Sequence, residues 1–260
     1  MNNGLSPSIS VITVVRNGAS VIADCIESVL AQQIEGLEYI VIDGASTDGT
    51  LEIIRRYGDA ISVCISEPDC GLYDAMNKGL RLARGRYIHF LNADDRYVAP
   101  DTLSRLLPQL DESTVCYGVM IYQEADGRQR RLGSPFSWSR ELIESHIPQP
   151  TLFVPSQMYR KVGEFDLNYR IAADYDMVLR LARRFPMRFV DQPVTVMAAG
   201  GISCTQMGRT FKEAARVSIN HGRPVLAAHL TCLRHRLTWQ IARRLPSSVM
   251  DAVRRLRGRR

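Results

Sequence analysis

Four strand-length apolar runs, each followed by a helical stretch, constrain this chain more than any other feature. "ISVITVV" (9–15), "EYIVID" (38–43), "AISVCIS" (60–66) and the run at 87–91 are apolar almost throughout and do not alternate. Between them the spacing predicts helices. The pairs Val21/Ile22, Cys25/Ile26 and Val29/Leu30 recur every four residues, "TLEIIRRYG" (50–58) ends on Gly58, and Tyr73–Arg84 is followed by Gly85. Strands that are apolar on both faces imply a parallel sheet covered on both sides, so the fold class is α/β with a mostly parallel central sheet and flanking helices. Ligands of such sheets bind beyond the carboxyl ends of the strands. Small polar residues gather there: "RNGAS", "DGASTDGT", "EPDCG" and "NADD" follow the four strands in turn.

Beyond residue 100 the pattern changes. "TVCYGVMIY" (114–122) and "RQRRLG" (128–133) read as a hairpin around "EADG", "TLFVP" (151–155) as a further strand, and 172–185 as a helix with its acids at the front. A composition of 45% hydrophobic and 23% charged residues over 260 positions is that of a globular chain, which excludes disordered, collagenous and disulfide-stapled classes. The six cysteines form no CxxC pair and read as small core residues in a reducing compartment. The opening "MNNGLSPSIS" has no basic region leading into an apolar one, and the expected location is the cytoplasm.

Several nucleotide-binding schemes are excluded by motif. Gly18 stands alone where a dinucleotide fold needs GxGxxG, Lys78-Gly79 reverses the order a Walker A loop requires, and HExxH and GxSxG are absent. A polyphosphate can instead be held through a divalent cation, and Mg²⁺ or Mn²⁺ takes one or two carboxylates together with the phosphates themselves. Asp94 and Asp95, adjacent at the end of the fourth strand, suit that role, because a cation offsets their repulsion. A polar turn with Asp95 capping a helix near Pro100 is the plainer alternative. Asp43 ends a buried strand in the same way, and Glu67, Asp69, Asp74, Asn77 and Lys78 crowd one helix start.

Taken together, "SVITVVRNGASVIADCIESVLAQQ…EYIVIDGASTDGT", "SEPDCGLYDAMNKG", "FLNADD" and "YRIAADYDMVLRLA" resemble the family 2 glycosyltransferases, enzymes of GT-A fold that use nucleotide sugars. The resemblance implies a Rossmann-like GT-A catalytic domain over 1–207, with donor binding in about 9–97 and the acceptor and base in about 98–207. It implies a donor-binding set of Thr13, Val15, Asn17, Asp43, Ser46, Asp69, Asn77, Lys78 and Asp94, with Asp95 as ligand of Mn²⁺ or Mg²⁺ and Asp174 as catalytic base. "GGIS" (200–203) resembles a mobile loop closing over the diphosphate. Inverting transfer needs one base and one Lewis acid. Retention by double displacement needs a second acid, and Asp176, about 200° around the helix from Asp174, points elsewhere. Relatives often carry a His before the Gln of "IPQPTLF"; here Pro148 stands there and His146 is out of register. The QxxRW motif of processive synthases is absent, so one sugar per acceptor is expected.

From Gly208 onward 13 Lys and Arg face two acids, a net of +11, while the other 207 residues carry 20 against 25, a net of −5. Residues 208–260 therefore read as a basic helical extension. Leu230, Leu233, Leu237, Ile241 and Leu245 share a helical stripe with Arg234 and Arg236 off it, which suits an anionic membrane surface or, equally, packing on the body. Nucleic acid is not expected, because the arginines are not interleaved with the run of aromatic residues that a stacking platform requires. The expected partners are a nucleoside-diphosphate sugar and a glycan or lipid-linked acceptor at the inner face of the plasma membrane. A sugar nucleotidyltransferase and a non-catalytic, membrane-tethered nucleotide-sugar-binding protein are the alternatives.

Overall fold

A computed structural model describes residues 6–124, 126–200 and 206–244. The apolar runs become β1 (Ile9–Val15), β2 (Leu37–Asp43) and β4 (Tyr87–Phe90), with β1 hydrogen-bonded in parallel to both of the others. Every residue of β1 is buried, and each Ile or Val so placed contributes about 1.5–3 kcal/mol. β3 (Val63–Ser66) departs from expectation. It is shorter than 60–66, because Gly58–Ala60 forms a 3₁₀ turn, and its residues alternate between half-buried and exposed because it is the sheet's edge strand.

The sheet has nine strands in the order β3-β2-β1-β4-β8-β6-β9-β5, with β7 paired to β6. β6 (Val115–Gln123) and β7 (Gln129–Leu132) form the expected hairpin, and β8 (Leu152–Pro155) runs antiparallel to both β4 and β6. The sequence did not signal the other two strands. β5 (Asp95–Tyr97) has three residues, and the apolar pattern of β9 (Met187–Ala198) is broken by Asp191, Gln192 and Pro193 although the strand itself is continuous.

α1 (Ile22–Leu30), α2 (Thr50–Arg55) and α4 (Thr102–Leu106) are placed with one core, where Ile22, Ile26, Ile54 and Leu103 meet the strands. α3 (Leu72–Leu82), α6 (Ser156–Val162) and α7 (Ala173–Arg184) build the other around Met76, Phe90, Phe165 and Leu179. α5 (Trp138–Ile143) connects β7 to β8. Of the five cysteines described, Cys25 and Cys116 are core residues, whereas Cys64 and Cys70 lie exposed on β3 and the loop after it, contrary to the reading of all six as core.

The division expected at 207/208 falls at the start of α8 (Met207–Asn220), which is docked on the body: Val217 and Ser218 are buried, and Asn220 donates to the Tyr169 hydroxyl at 2.7 Å. α9 (Val225–Arg244) follows, resting on α8 with Ala228 buried while Leu226, Leu230, Leu233, Leu237 and Ile241 are 49–73% exposed. Leu245, residues 246–260 and 201–203 of the "GGIS" loop lie outside the described residues.

Candidate active site

At the carboxyl ends of β1 and β2, Asp43 stands opposite Val15 in register and is fully buried. Its carboxylate accepts from the Ser66 hydroxyl at 2.6 Å and from the Ser46 N–H at 3.1 Å. The loop after β1 folds back onto the loop after β2. The Asn17 N–H donates to the Ser46 hydroxyl at 2.7 Å, and Asn17 Oδ1 accepts from the Thr47 N–H at 2.9 Å. Asn17 has φ +53°, a left-handed conformation that Asn tolerates. Ala45 has φ +54° with no such excuse, a strain of about 1–3 kcal/mol held in place by the bonds to Asp43 on its far side. Asp69 closes the third wall. A Cβ on Gly44 would come 2.1 Å from Asp69 Oδ2, so any larger residue there would push the Asp69 carboxylate out of this position.

Asn17, Asp43, Ser46 and Asp69 are thus brought together. Thr13 and Val15 lie beneath them in the core: the Thr13 hydroxyl donates to the Leu91 carbonyl at 2.8 Å, and the Val15 carbonyl receives the Gly44 N–H. Asn77 is also buried, its amide spanning the N–H and C=O of Phe165 at 2.8 and 3.0 Å. Lys78 pairs with Glu67 at 2.8 Å, which raises its pKa, and donates to the Pro68 carbonyl. The polar groups of these four are already engaged by the protein.

Asp95 opens β5 and is 1% exposed, yet neither carboxylate oxygen has a hydrogen-bond partner, and the nearby Asn92 Oδ1 is likewise buried and unpartnered. Burial and the adjacent Asp94 charge hold the Asp95 carboxyl well above the usual carboxylate range. Such an orphaned pair of oxygens costs free energy unless a cation takes them. Asp94 is exposed beside it. Among the described residues no three acidic, His or Cys side chains converge into a ready-made cage, so Asp95 and Asp94 fit a cation whose other ligands are phosphate oxygens and water.

Asp174 sits in the first turn of α7 and is half-buried. Oδ1 accepts from the Tyr175 N–H at 2.8 Å and lies 3.0 Å from the Tyr73 hydroxyl; no hydrogen bond engages Oδ2 among the described residues. Loss of surrounding water raises its pKa, and the two contacts on Oδ1 oppose that rise. Asp176 turns away, as expected, to Arg180 at 2.7 Å and His221 at 2.9 Å. The backbone entering α7 is fixed from α8: Glu213 Oε2 accepts from the N–H groups of Arg170, Ile171 and Ala172 at 2.9, 2.8 and 3.2 Å.

The model of the family described as "Glycosyl transferase family 2" matches residues 10–165, a span that includes every donor-side residue above. The chain belongs to glycosyl transferase family 2. It is 32% identical over 227 residues to a Mycobacterium bovis protein named "PGL/p-HBAD biosynthesis glycosyltransferase", covering 84% of this chain and 87% of the relative. An uncharacterized glycosyltransferase of Rickettsia typhi is 30% identical over 194 residues, covering 70% and 60%. Two solved structures show the fold. TarS 1–349 of S. aureus in complex with UDP-GlcNAc superposes with a TM-score of 0.65 at 18% identity, over 88% of this chain and 71% of that one. A mannosyltransferase of Pyrobaculum calidifontis in complex with GDP-Man and Mn²⁺ gives 0.65 at 20% identity, over 96% and 80%. A longer TarS chain is spanned over 42% of its length.

The family 2 glycosyltransferase thus has the GT-A fold that its motifs imply, with a mixed sheet and a C-terminal helix. Tyr73 and Glu213 carried no signal in the sequence. Tyr73 reads as one more residue on the buried face of α3, and Glu213 as one of only two acids in a basic tail. Among the described residues no helix is long and apolar enough to cross a membrane.

Proposed function

We propose that this glycosyltransferase moves one sugar from a nucleoside-diphosphate sugar to a hydroxyl of a glycan or lipid-linked acceptor with inversion, Asp174 acting as base. The observation that carries this reading is the asymmetry of the Asp174 carboxylate, with Oδ1 held by Tyr73 and Tyr175 and no hydrogen bond on Oδ2 among the described residues. A base so oriented takes the acceptor's proton on Oδ2 as the acceptor oxygen attacks the anomeric carbon from the face opposite the leaving group. Asp43, Asn17 and Ser46 form the wall that receives the nucleoside, and Asp69 closes the loop beside it. A bound Mn²⁺ or Mg²⁺, held by Asp95 with Asp94 beside it, supplies charge neutralisation for the departing diphosphate.

The structural neighbours with bound UDP-GlcNAc and GDP-Man support a nucleotide-sugar donor, and the Mn²⁺ of the second supports the cation. The exposed apolar stripe of α9 supports peripheral attachment to the inner face of the plasma membrane. The test is release of UDP, GDP, dTDP or CDP from a panel of nucleotide sugars with Mn²⁺ or Mg²⁺, in the presence of lipid extracts as acceptor. Turnover by Asp174→Asn at the wild-type rate would remove Asp174 as base, and no turnover with any donor would favour the binding-protein alternative.

A further inference from the structure

Across the far half of the sheet, Asp95 lies opposite Met197, Met197 opposite Tyr122, and Tyr122 opposite Arg130. Directly opposed residues project on one face, and so do residues two apart along a strand. Asp95, Arg130, Met120 and Leu132 therefore share a face, with Arg130 three strand spacings, about 14 Å, from Asp95. On that side a cleft of about 490 Å³ opens between the β6–β7 hairpin and residues 140–148, lined by Met120, Arg130, Leu132, Arg140, His146 and Pro148 among others.

The cleft wall is built for a charged guest. His146 is 10% exposed, with Nδ1 2.5 Å from Oε2 of Glu141, whose side chain is fully buried. The His146 backbone N–H donates to the same oxygen at 3.2 Å, so Nδ1 faces that buried carboxylate without a hydrogen bond of its own, and Nε2, at the opposite edge of the ring, is buried and likewise has no hydrogen-bond partner. Arg140 donates to the Ser134 hydroxyl at 3.1 Å and forms no ion pair among the described residues. Arg130 is 62% exposed, with Glu124 no nearer than 3.7 Å. The wall connects directly to the base, because the hydroxyl of Tyr175, next to Asp174, donates to the Glu141 carbonyl at 2.6 Å.

We propose that this cleft binds a phosphate group of the acceptor, gripped by Arg130, Arg140 and His146 Nε2, with Glu141 as the residue that positions His146. Two guanidinium groups and an imidazole approaching from different sides match a tetrahedral anion with several acceptor oxygens better than a planar carboxylate. The inference rests on the reading of Asp174 as base, since that makes this the acceptor side of the site. It gives His146 a role in this chain although it is out of register with the His expected before Gln149.

The experiment uses the full chain labelled with ¹⁵N-histidine and titrated with inorganic phosphate, methyl phosphate and dimethyl phosphate; the diester stands for a phosphodiester-linked acceptor. His146→Gln identifies the His146 ring signals. Those signals are expected to shift saturably with at least one of the three probes, and the midpoint to weaken about tenfold or more in Arg140→Ala, equivalent to about 1.4 kcal/mol. Nucleoside diphosphate should stabilise Arg140→Ala as it does the wild type. In Glu141→Gln the Nδ1 signal should move before any phosphate is added, a signature that general loosening of the wall would not produce. No saturable shift with any probe, or an unchanged midpoint in Arg140→Ala, overturns the proposal. Failure of the wild type to bind any nucleoside diphosphate would count against the transfer reading and is read separately from the phosphate result.

Discussion

The Tyr73 hydroxyl stands 3.0 Å from the Asp174 carboxylate, 101 residues away along the chain. It ties α3, behind the proposed donor loop, to α7, which carries the proposed base. Asp174→Asn should keep nucleotide binding and reduce turnover by about 10²–10⁴-fold, the range a general base supplies. Single-turnover rates beside a nucleotide-binding isotherm check both halves.

The acid limb of the pH–rate profile should report Asp174. Burial raises its pKa, so the active carboxylate is lost, as pH falls, at a higher pH than for an ordinary aspartate at 3.8. Tyr73→Phe removes a contact that favours the charged form, so it should move that limb to still higher pH. A limb that stays in place in Tyr73→Phe would mean that the hydroxyl acts only on the Ile171 carbonyl, 2.7 Å away.

Asp95→Asn should raise the stability of the protein without metal, because it removes a carboxyl whose ionised form is penalised by burial without partners. The same change should abolish the stabilisation of about 2.7 kcal/mol expected from metal plus nucleotide at about 100 times the dissociation constant. Thermal unfolding with and without Mn²⁺ and nucleotide measures both effects. A loss of apo stability in Asp95→Asn would show that the carboxylate is satisfied by the fold itself.

Glu213→Ala should destabilise by about 2 kcal/mol, since it leaves three N–H groups before α7 without their acceptor, and should lower kcat more than it changes nucleotide affinity. The N–H groups and Arg209 hold the Glu213 carboxyl below its usual value. Its folded pKa is thus the lower one. The stability it adds is present above the ordinary glutamate pKa of 4.5 and is lost as pH falls through the folded value. Urea unfolding at neutral and acid pH should find wild type and Glu213→Ala converging on the acid side.

Replacing Leu230 and Leu237 by Glu on the exposed stripe of α9 should weaken flotation with anionic vesicles while leaving turnover on a detergent-dispersed acceptor unchanged. Equal flotation of the variant would remove α9 as the attachment.

The half of the fold proposed to hold the donor was legible because strands buried on both faces are apolar at most positions, and β1, β2 and β4 are, with only Ser10, Thr13, Glu38, Asp43 and His89 as exceptions. Legibility failed where tertiary pairing replaced local pattern. β5 is a strand only because β9, about 100 residues later, pairs with Asp95–Tyr97, and in sequence Asp95 belongs to a turn. Within the site, Asp43, Asp95 and Asp174 are carboxylates at motif positions and could be named. Glu213 could not, because its partners are main-chain N–H groups, which every residue but proline supplies and which leave no trace in the sequence. His146 was legible as a departure, but its pairing with Glu141 depends on the turn after α5.

The clamp that Glu213 places on residues 170–172 bears on how the enzyme matures. A chain emerging from the ribosome can fold its donor half early, since domains form from the N-terminal side during synthesis. The proposed base, Asp174, gains its final backbone support only after α8 has been made, following β9 and the segment beyond it. Chains that stop before α8 therefore carry the proposed nucleotide crevice without a settled base, and the capacity proposed for transfer waits on residues 207–220.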